Sequence, residues 1–338
     1  MTESTPAETT PAETRTTGTT PAGTTPAGTT APATDPTATE PAARVRRFAL
    51  GDVEIIRLVE WHRPFAPAAE LVPEAAPEAW TDHAESLVPD HYEPVNKWAV
   101  LALQYWVLRS EGRTILVDTG AGNGRERPGM PPFHQCEGDF LDLLAAAGLA
   151  PDDVDLVVNT HLHVDHVGWN TRAADDGTWV PTFPHARYLL PAADDHHYGP
   201  ENAYGGGAAE VDRLIYQDSV APIHRAGLAQ RWDGHHRLDG ALTLESAPGH
   251  TPGSSVLRLA SGTDRAVFAG DLLHSPVQIP HPHHNSGACL APAQAAATRH
   301  RVLQQAADNR ELLIPAHFGG SGVVEVRRSG ATFTATEW

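Results

Sequence analysis

The sequence predicts a mixed α/β fold in one large domain behind a low-complexity tail. Three observations predict it. Short apolar runs of strand length recur between Val53 and Pro315 and are interrupted by stretches of helical pattern. Several of those runs are followed or closed by His or Asp, residue types that bind metals. Residues 1–43 consist almost wholly of Thr, Pro, Ala, Glu and Gly, with Thr-Thr-Pro-Ala-Gly repeated between Thr19 and Thr30. Such a composition cannot bury enough apolar surface to offset chain entropy, so a disordered tail over 1–43 and a domain over 44–338 are expected. At 338 residues and 41% apolar content the chain can bury one large core.

Taken in order, Val53–Val59 and Trp98–Leu108 read as strands. Ser110-Glu111-Gly112 turns into the strand Thr114–Val117, a hairpin that ends at Asp118-Thr119-Gly120. Phe140–Ala147 reads as a helix stopped by Gly148. Val154–Val158 is a short buried strand. A helix over Ala208–Gln217 behind the glycine turn Gly205-Gly206-Gly207 makes residues 170–235 a candidate lid. The strand patterns Leu242–Leu244, Ser255–Leu259, Ala266–Gly270 and Leu312–Pro315 follow, with a helix over Ala293–Ala307.

The run Asn159-Thr160-His161-Leu162-His163-Val164-Asp165-His166 places three imidazoles and a carboxylate in six residues. The strand Val154–Val158 brings the chain to His161 extended, so side chains two apart share a face. His161 and His163 then grip one ion, and a turn after Val164 aims Asp165 and His166 at a second. Chance is a weak explanation: even with 20 histidines, roughly a few accidental matches to this pattern are expected per thousand such chains. Mixed nitrogen and oxygen donors suit zinc first, with iron or manganese as the other fits. Three further candidates lie downstream: His250 in the turn Ala247–Gly253, Asp271 closing Ala266–Gly270, and His317 after Leu312–Ala316.

With these motifs in this order, the chain resembles the metallo-β-lactamase-fold superfamily of metallohydrolases over about residues 45 to 325. The resemblance implies a four-layer αββα sandwich with the site at one edge of its two sheets. It implies two divalent ions, with His161, His163 and His250 on the first, Asp165, His166 and His317 on the second, and Asp271 bridging. It also implies that Asp118, a carboxylate at a strand end, lies near the ligands and orients one of them. Within the superfamily the pattern is nearest the lactonase and organophosphate-hydrolase branch, and relatives of the lactonase type make a homodimer the expected assembly.

Two cations sharing a water lower its pKa, so the expected reaction is attack by a metal-bridging hydroxide on a small-molecule ester, lactone or related bond. Asp165 orients that nucleophile. His274, three residues after Asp271, is the candidate proton donor to the leaving group, at a place where similar lactonases often carry tyrosine. Trp61, Phe65, Trp169 and Phe318 are candidate walls for an apolar substrate group. Pro280-His281-Pro282-His283-His284 offers a third metal-binding patch as one reading, but its two prolines and lack of periodicity favour an exposed loop near the site's mouth, with its histidines unassigned.

Composition narrows the alternatives. A net charge of −18, with Lys97 the one lysine, argues against a nucleic-acid partner. Cys136 and Cys289 lie outside the ligand motifs and read as ordinary thiols. The tail has neither the basic start nor the apolar stretch of a secretory signal, and no run is long enough to span a membrane, so a cytoplasmic location is expected. A mononuclear iron sulfur dioxygenase and a thioester hydrolase share the fold and are the alternative readings. The thioester reading is weakened by the 21 residues left after His317, and a non-enzymatic scaffold by the intact ligand set.

Overall fold

A computed structural model describes residues 1–2 and 40–338 except 207–209. The expected tail therefore falls largely outside the described residues, as do Gly207 and Ala208 of the expected glycine turn and helix. Chain order from Val45 runs through β1 (Val45–Leu50), β2 (Val53–Pro67), β3 (Tyr92–Glu93), β4 (Trp98–Ser110), β5 (Arg113–Val117) and β6 (Leu156–Val158). A small hairpin, β7 (Thr171–Ala173) with β8 (Trp179–Pro181), precedes β9 (Arg187–Pro191) and β10 (Ala229–Trp232). Apart from that hairpin these strands form one sheet in the order β1-β2-β4-β5-β6-β9-β10, with β3 pairing to β4. The second sheet comprises β11 (His235–Arg237), β12 (Leu242–Ser246), β13 (Ser255–Ser261), β14 (Asp264–Gly270), β15 (Leu312–Pro315), β16 (Val324–Ser329) and β17 (Thr332–Glu337), in sequence order.

Alternation along the strands explains the layering, because neighbouring side chains leave a strand on opposite faces. In β4, Leu103, Tyr105 and Val107 pack outward against Phe140, Leu143 and Leu144 of the helix Phe140–Ala146 and against Ile215, Val220 and Ile223. Trp106 and Leu108 of the same strand face inward and meet Leu244, Leu257, Phe268 and Ile314 of the second sheet. In β14, Ala266 and Phe268 point to this inter-sheet core, while Val267 and Ala269 pack beneath Val302, Leu303 and Ala306 of the helix Pro292–Asn309. Helix, sheet, sheet and helix thus enclose three dry interfaces, the expected αββα sandwich. Each fully buried Leu, Ile, Val or Phe contributes ~1.5–3 kcal/mol.

Strand direction positions the site. β5, β6, β9 and β10 are parallel in the first sheet, as are β14 and β15 in the second. Parallel neighbours require crossovers, and helices Phe140–Ala146 and Pro292–Asn309 lie in those after β5 and β14. Asp118, the His161–His166 segment, Asp271 and His317 all lie just past the C-terminal ends of parallel strands, the usual place for ligands in such sheets.

Several elements differ from expectation. β2 runs on to Pro67, paired with β4 through two register shifts. The helix before Gln217 covers Glu210–Ile215 and continues as a wider turn over Tyr216–Val220. β6 stops at Val158, so the chain is not extended through His161. Asp118 binds the Thr160 amide and hydroxyl at 2.7 and 2.8 Å and bends the segment at that point.

Glu60 of β2 is buried and accepts a hydrogen bond from the Tyr105 hydroxyl. Burial pushes its carboxyl up to about 7, against the opposing pull of the Tyr105 bond. A folded-state pKa above the unfolded value gives stability that is complete below the unfolded pKa, near 4.5, and is lost as pH rises through about 7. The loss amounts to as much as about 3 kcal/mol. Glu60→Gln should therefore match wild type in melting temperature near pH 4.5 and flatten the decline toward pH 8, as measured by calorimetry across that range.

Candidate metal centre

Asp118 takes a left-handed φ of 58°, which turns the chain sharply out of β5. Besides holding Thr160, its carboxylate accepts from His166 Nδ1 at 2.9 Å and so fixes which ring nitrogen of His166 faces the centre. The turn carrying His166 is held a second time, because its carbonyl accepts from Asn159 Nδ2 at 2.9 Å and from the Thr119 amide at 2.9 Å. His161 is oriented by the Thr160 hydroxyl, 3.1 Å from its Nδ1.

The second sheet supplies the other half. Gly270 has a φ of 51° and lies against Thr160, whose Oγ1 a Cβ at Gly270 would approach to 2.8 Å. Glycine thus lets β14 deliver Asp271 directly beneath the β6 loop. His317 Nδ1 donates to the Ala102 carbonyl at 3.0 Å, while the Ala102 amide donates to the His317 carbonyl at 3.0 Å. His250 comes from the turn between β12 and β13, where Gly249 allows contact with the helix Pro292–Asn309. A Cβ at Gly249 would meet Ala295 N at 2.3 Å.

These segments bring all seven residues expected to be ligands into two adjoining groups. His161, His163, His250 and Asp271 offer ligand atoms that lie within 4.8 Å of one another, as do Asp165, His166 and His317. Asp271 joins the two groups. Its Oδ2 faces His161 Nε2 at 3.6 Å and His250 Nε2 at 3.3 Å, and its Oδ1 faces His166 Nε2 at 3.2 Å and His317 Nε2 at 3.0 Å. Asp165 completes the second group, 3.7 Å from His166 Nε2 and 3.5 Å from His317 Nε2. His274 joins at the edge, with Nε2 3.2 Å from Asp271 Oδ2.

The donors fit divalent metal ions. Among the described residues, His161 Nε2, His166 Nε2 and Asp271 Oδ1 are buried without a hydrogen-bond partner, a cost that a bound cation removes. Burial, reinforced by His166 beside His161 and His250 beside His163, pushes those two imidazoles well below their usual range, into the neutral form that ligates metal. Burial also opposes charge on Asp271, yet His166, His317, His274 and His161 around it hold its carboxyl well below the usual carboxylate range.

Asp194 is a support that sequence reading missed. Fully buried in the helix Ala192–Tyr198, it accepts from the Leu162 amide at 3.0 Å, the Thr251 hydroxyl at 2.8 Å and the Gly253 amide at 2.5 Å. One carboxylate therefore ties the His161 loop to the His250 turn. Its partners lie 32, 57 and 59 residues away in sequence, and no local pattern reveals it. Cys289, expected as an ordinary thiol, is free and places its Sγ 3.7 Å from His250 Nδ1.

A cavity of about 400 Å³ opens onto the centre and is lined by His163, Asp165, His250, Asp271, His274 and His317 on one side. Trp61 and Phe65 form an apolar wall as expected, stacked at 6.0 Å, and Phe133 extends the row at 5.9 Å from Phe65. Met130 and Ile215 complete it. Trp169 and Phe318 are not walls. Trp169 packs on Phe140 in the outer core, and Phe318 is fully buried beneath the second sheet, with its ring edge-on to His91 at 5.2 Å. The Met130–Phe133 wall and the Ile215 wall are tied to each other at their bases. Arg125 and Arg127, both fully buried, bind Asp218 at 2.8 and 2.7 Å, just past Ile215.

Comparison with known proteins agrees with this geometry. The family model of the metallo-beta-lactamase superfamily matches residues 100–317. The N-acyl homoserine lactonase AttM of Azorhizobium caulinodans is 31% identical over 118 residues, which cover 32% of this chain and 36% of that protein. The metallo-beta-lactamase domain-containing protein 1 of Mus musculus is 30% identical over 162 residues, 47% of this chain and 44% of its own length. The chain thus spans less than half of the length of these curated relatives. Among solved structures, AidC, a dizinc quorum-quenching lactonase, superposes with a TM-score of 0.71 at 20% identity, covering 87% of this chain and 97% of AidC. The hydrolase AbOPH gives 0.70 at 21% identity with the same coverage. At such identities the structural likeness is one of fold. Because the family match covers more than half of the chain, the protein belongs to the metallo-beta-lactamase superfamily and is one of its metal-dependent hydrolases.

Proposed function

We propose that this chain is a dinuclear zinc hydrolase that opens a lactone or cleaves a related ester of a small, largely apolar molecule. The observation that carries the reading is Asp271, whose two oxygens face two separate groups of imidazoles. In this reading His161, His163 and His250 would hold one cation, Asp165, His166 and His317 would hold the other, and Asp271 would serve both. When bound, the two cations supply Lewis acidity at the scissile carbonyl and a nucleophile at neutral pH.

The chain's own residues do the rest. The row Trp61, Phe65 and Phe133 takes the apolar part of the substrate and excludes water from the reacting bond. Asp165, half-buried at the cavity floor, accepts a hydrogen bond from the attacking water and orients it. His274, which lines the cavity with its Nε2 3.2 Å from Asp271 Oδ2, takes a proton released by the attacking water and delivers it to the departing alkoxide. The likeness to AttM, named as an N-acyl homoserine lactonase, and the apolar walls both support a lactone carrying an acyl chain. No helix among the described residues is long and apolar enough to cross a membrane. A cytoplasmic location is consistent with two free thiols, and a homodimer is the assembly that the lactonase resemblance implies.

Elemental analysis of the protein purified without added metal, with a panel of lactones, aryl esters and phosphotriesters, tests the reading. Two equivalents of zinc and chelator-sensitive turnover of lactones or esters are expected. One equivalent of iron with no hydrolysis would replace this reading with the dioxygenase. Asp271→Ala should lower the metal content at the second position and cut turnover on the order of 100-fold or more, whereas two retained equivalents with full activity would remove the bridge. For His274→Ala the decisive quantity is leaving-group dependence. Esters of poor alkoxide leaving groups should lose ~10²–10⁴ in kcat, and nitrophenyl esters far less. Equal losses on both would assign His274 to positioning rather than proton donation.

A further inference from the structure

Away from the buried centre, four imidazoles meet at the surface from two distant segments. His281, His283 and His284 lie in the turn after the short helical segment Pro276–Gln278, and His83 lies between the helices Pro77–Thr81 and Ala84–Leu87. The ring centres of His283 and His284 are 4.4 Å apart, those of His281 and His284 are 4.9 Å apart, and those of His281 and His283 are 6.1 Å apart. His83 stands 6.4 Å from His281. The three imidazoles assigned to the first buried cation have ring spacings of 4.6, 4.6 and 4.9 Å, which the two closer surface pairs approach and the other two exceed.

The backbone beneath these rings is fixed. The Arg299 guanidinium donates to the Pro282 carbonyl at 2.8 Å and to the His284 carbonyl at 2.7 Å, and Gln278 Nε2 donates to the latter at 3.0 Å. The His284 amide closes a turn onto the His281 carbonyl at 2.9 Å. Pro280 and Pro282 restrict the chain further. A turn this well anchored bears little ordering entropy when its side chains take up a ligand. His284 Nδ1 is buried and has no hydrogen-bond partner among the described residues, whereas His283 and His83 are exposed. Donor atoms of the buried groups already lie within 4.8 Å of one another. The surface donors do not converge in this way, so holding a cation there requires rotation of the rings.

We propose that His281, His283 and His284, with His83 as a fourth donor, form a second metal site, separate from the buried centre, for a divalent cation of the zinc, nickel and copper class. All four donors are imidazoles, which favour those cations over calcium or magnesium. The site is open to solvent, so it loads and empties faster than the buried centre. Its turn continues directly into Ser286, Gly287 and Ala288, which line the substrate cavity, so a cation held here adds rigidity to one rim of that cavity.

Equilibrium dialysis of the full chain against Zn²⁺, with bound metal read by elemental analysis, tests the site. Wild type should bind one equivalent more than the His281→Ala/His283→Ala/His284→Ala variant, whatever each holds at the buried centre. Equal stoichiometry and affinity in the two chains would overturn the proposal. His283→Gln changes a single exposed side chain and keeps the test independent of folding. Losing a direct ligand costs at least the ~10–100-fold in affinity typical of losing an outer partner, so the last equivalent should weaken about tenfold or more in this variant, with a smaller effect for His83→Ala. An isotherm unchanged by His283→Gln would equally refute the site.

Discussion

Six imidazoles and two carboxylates share a region that water scarcely reaches, and the cost of keeping so many polar groups out of water is the constraint around which the surrounding structure is built. Left free, these side chains would turn outward to be hydrated, because an unpaired polar group in a dry interior is costly. The fold prevents it by giving three of the six rings an external anchor. His166 is held by Asp118, His317 by the Ala102 carbonyl and His161 by the Thr160 hydroxyl. Each anchor occupies Nδ1 and leaves Nε2 for the centre. Asp194 performs the same office for the backbone, joining the two loops that carry the first group. The αββα layering then appears as the means of bringing these anchors together. Parallel strands of two sheets end at one edge, and the dry interface between the sheets keeps those ends in register.

The candidate ligands were legible in the sequence because their chemistry is local. Four of them fall within six residues, and the other three stand beside strand-like runs whose apolar content reveals them. The sheets were legible for the same reason, through alternation. The anchors were not, since Asp194 and Ala102 act on partners many tens of residues away and belong to segments with no unusual composition. Asp118 was recognisable through the family resemblance, but its grip on Thr160, which ends the extended chain before His161, emerges only in three dimensions. The aromatic residues mark the limit of local reasoning. Trp169 and Phe318 flank ligands in sequence yet turn into the core, whereas Phe133 and Met130 reach the cavity from a loop with no metal motif. A neighbour in sequence says little about which way a ring points once a turn intervenes.

The cavity walls show how the remaining surface is organised. One wall belongs to the long antiparallel pair formed by β2 and β4, whose register shifts near Trp61 and Pro64. The others belong to the loop carrying Phe133 and the helix carrying Ile215. These two are joined by Arg125, Arg127 and Asp218, a buried group with two guanidiniums on one carboxylate. Breaking a buried pair of this kind costs ~3–5 kcal/mol, so the two walls keep their spacing as one unit. Arg125 also lies over the Trp179 ring at 4.0 Å, which anchors the unit to the small hairpin.

This arrangement separates what the protein recognises from what it does. The residues that orient the candidate donors come from strand ends and two anchoring carboxylates, while those that shape the opening come from an extended strand pair and a clamped loop and helix. A lineage carrying this architecture can exchange Phe133, Met130 or Ile215 and admit a different guest, with the cation-holding apparatus left as it was. Diversification at the rim therefore carries little risk to reactivity, and chains that have drifted far apart in sequence can keep one chemistry while serving unrelated small molecules.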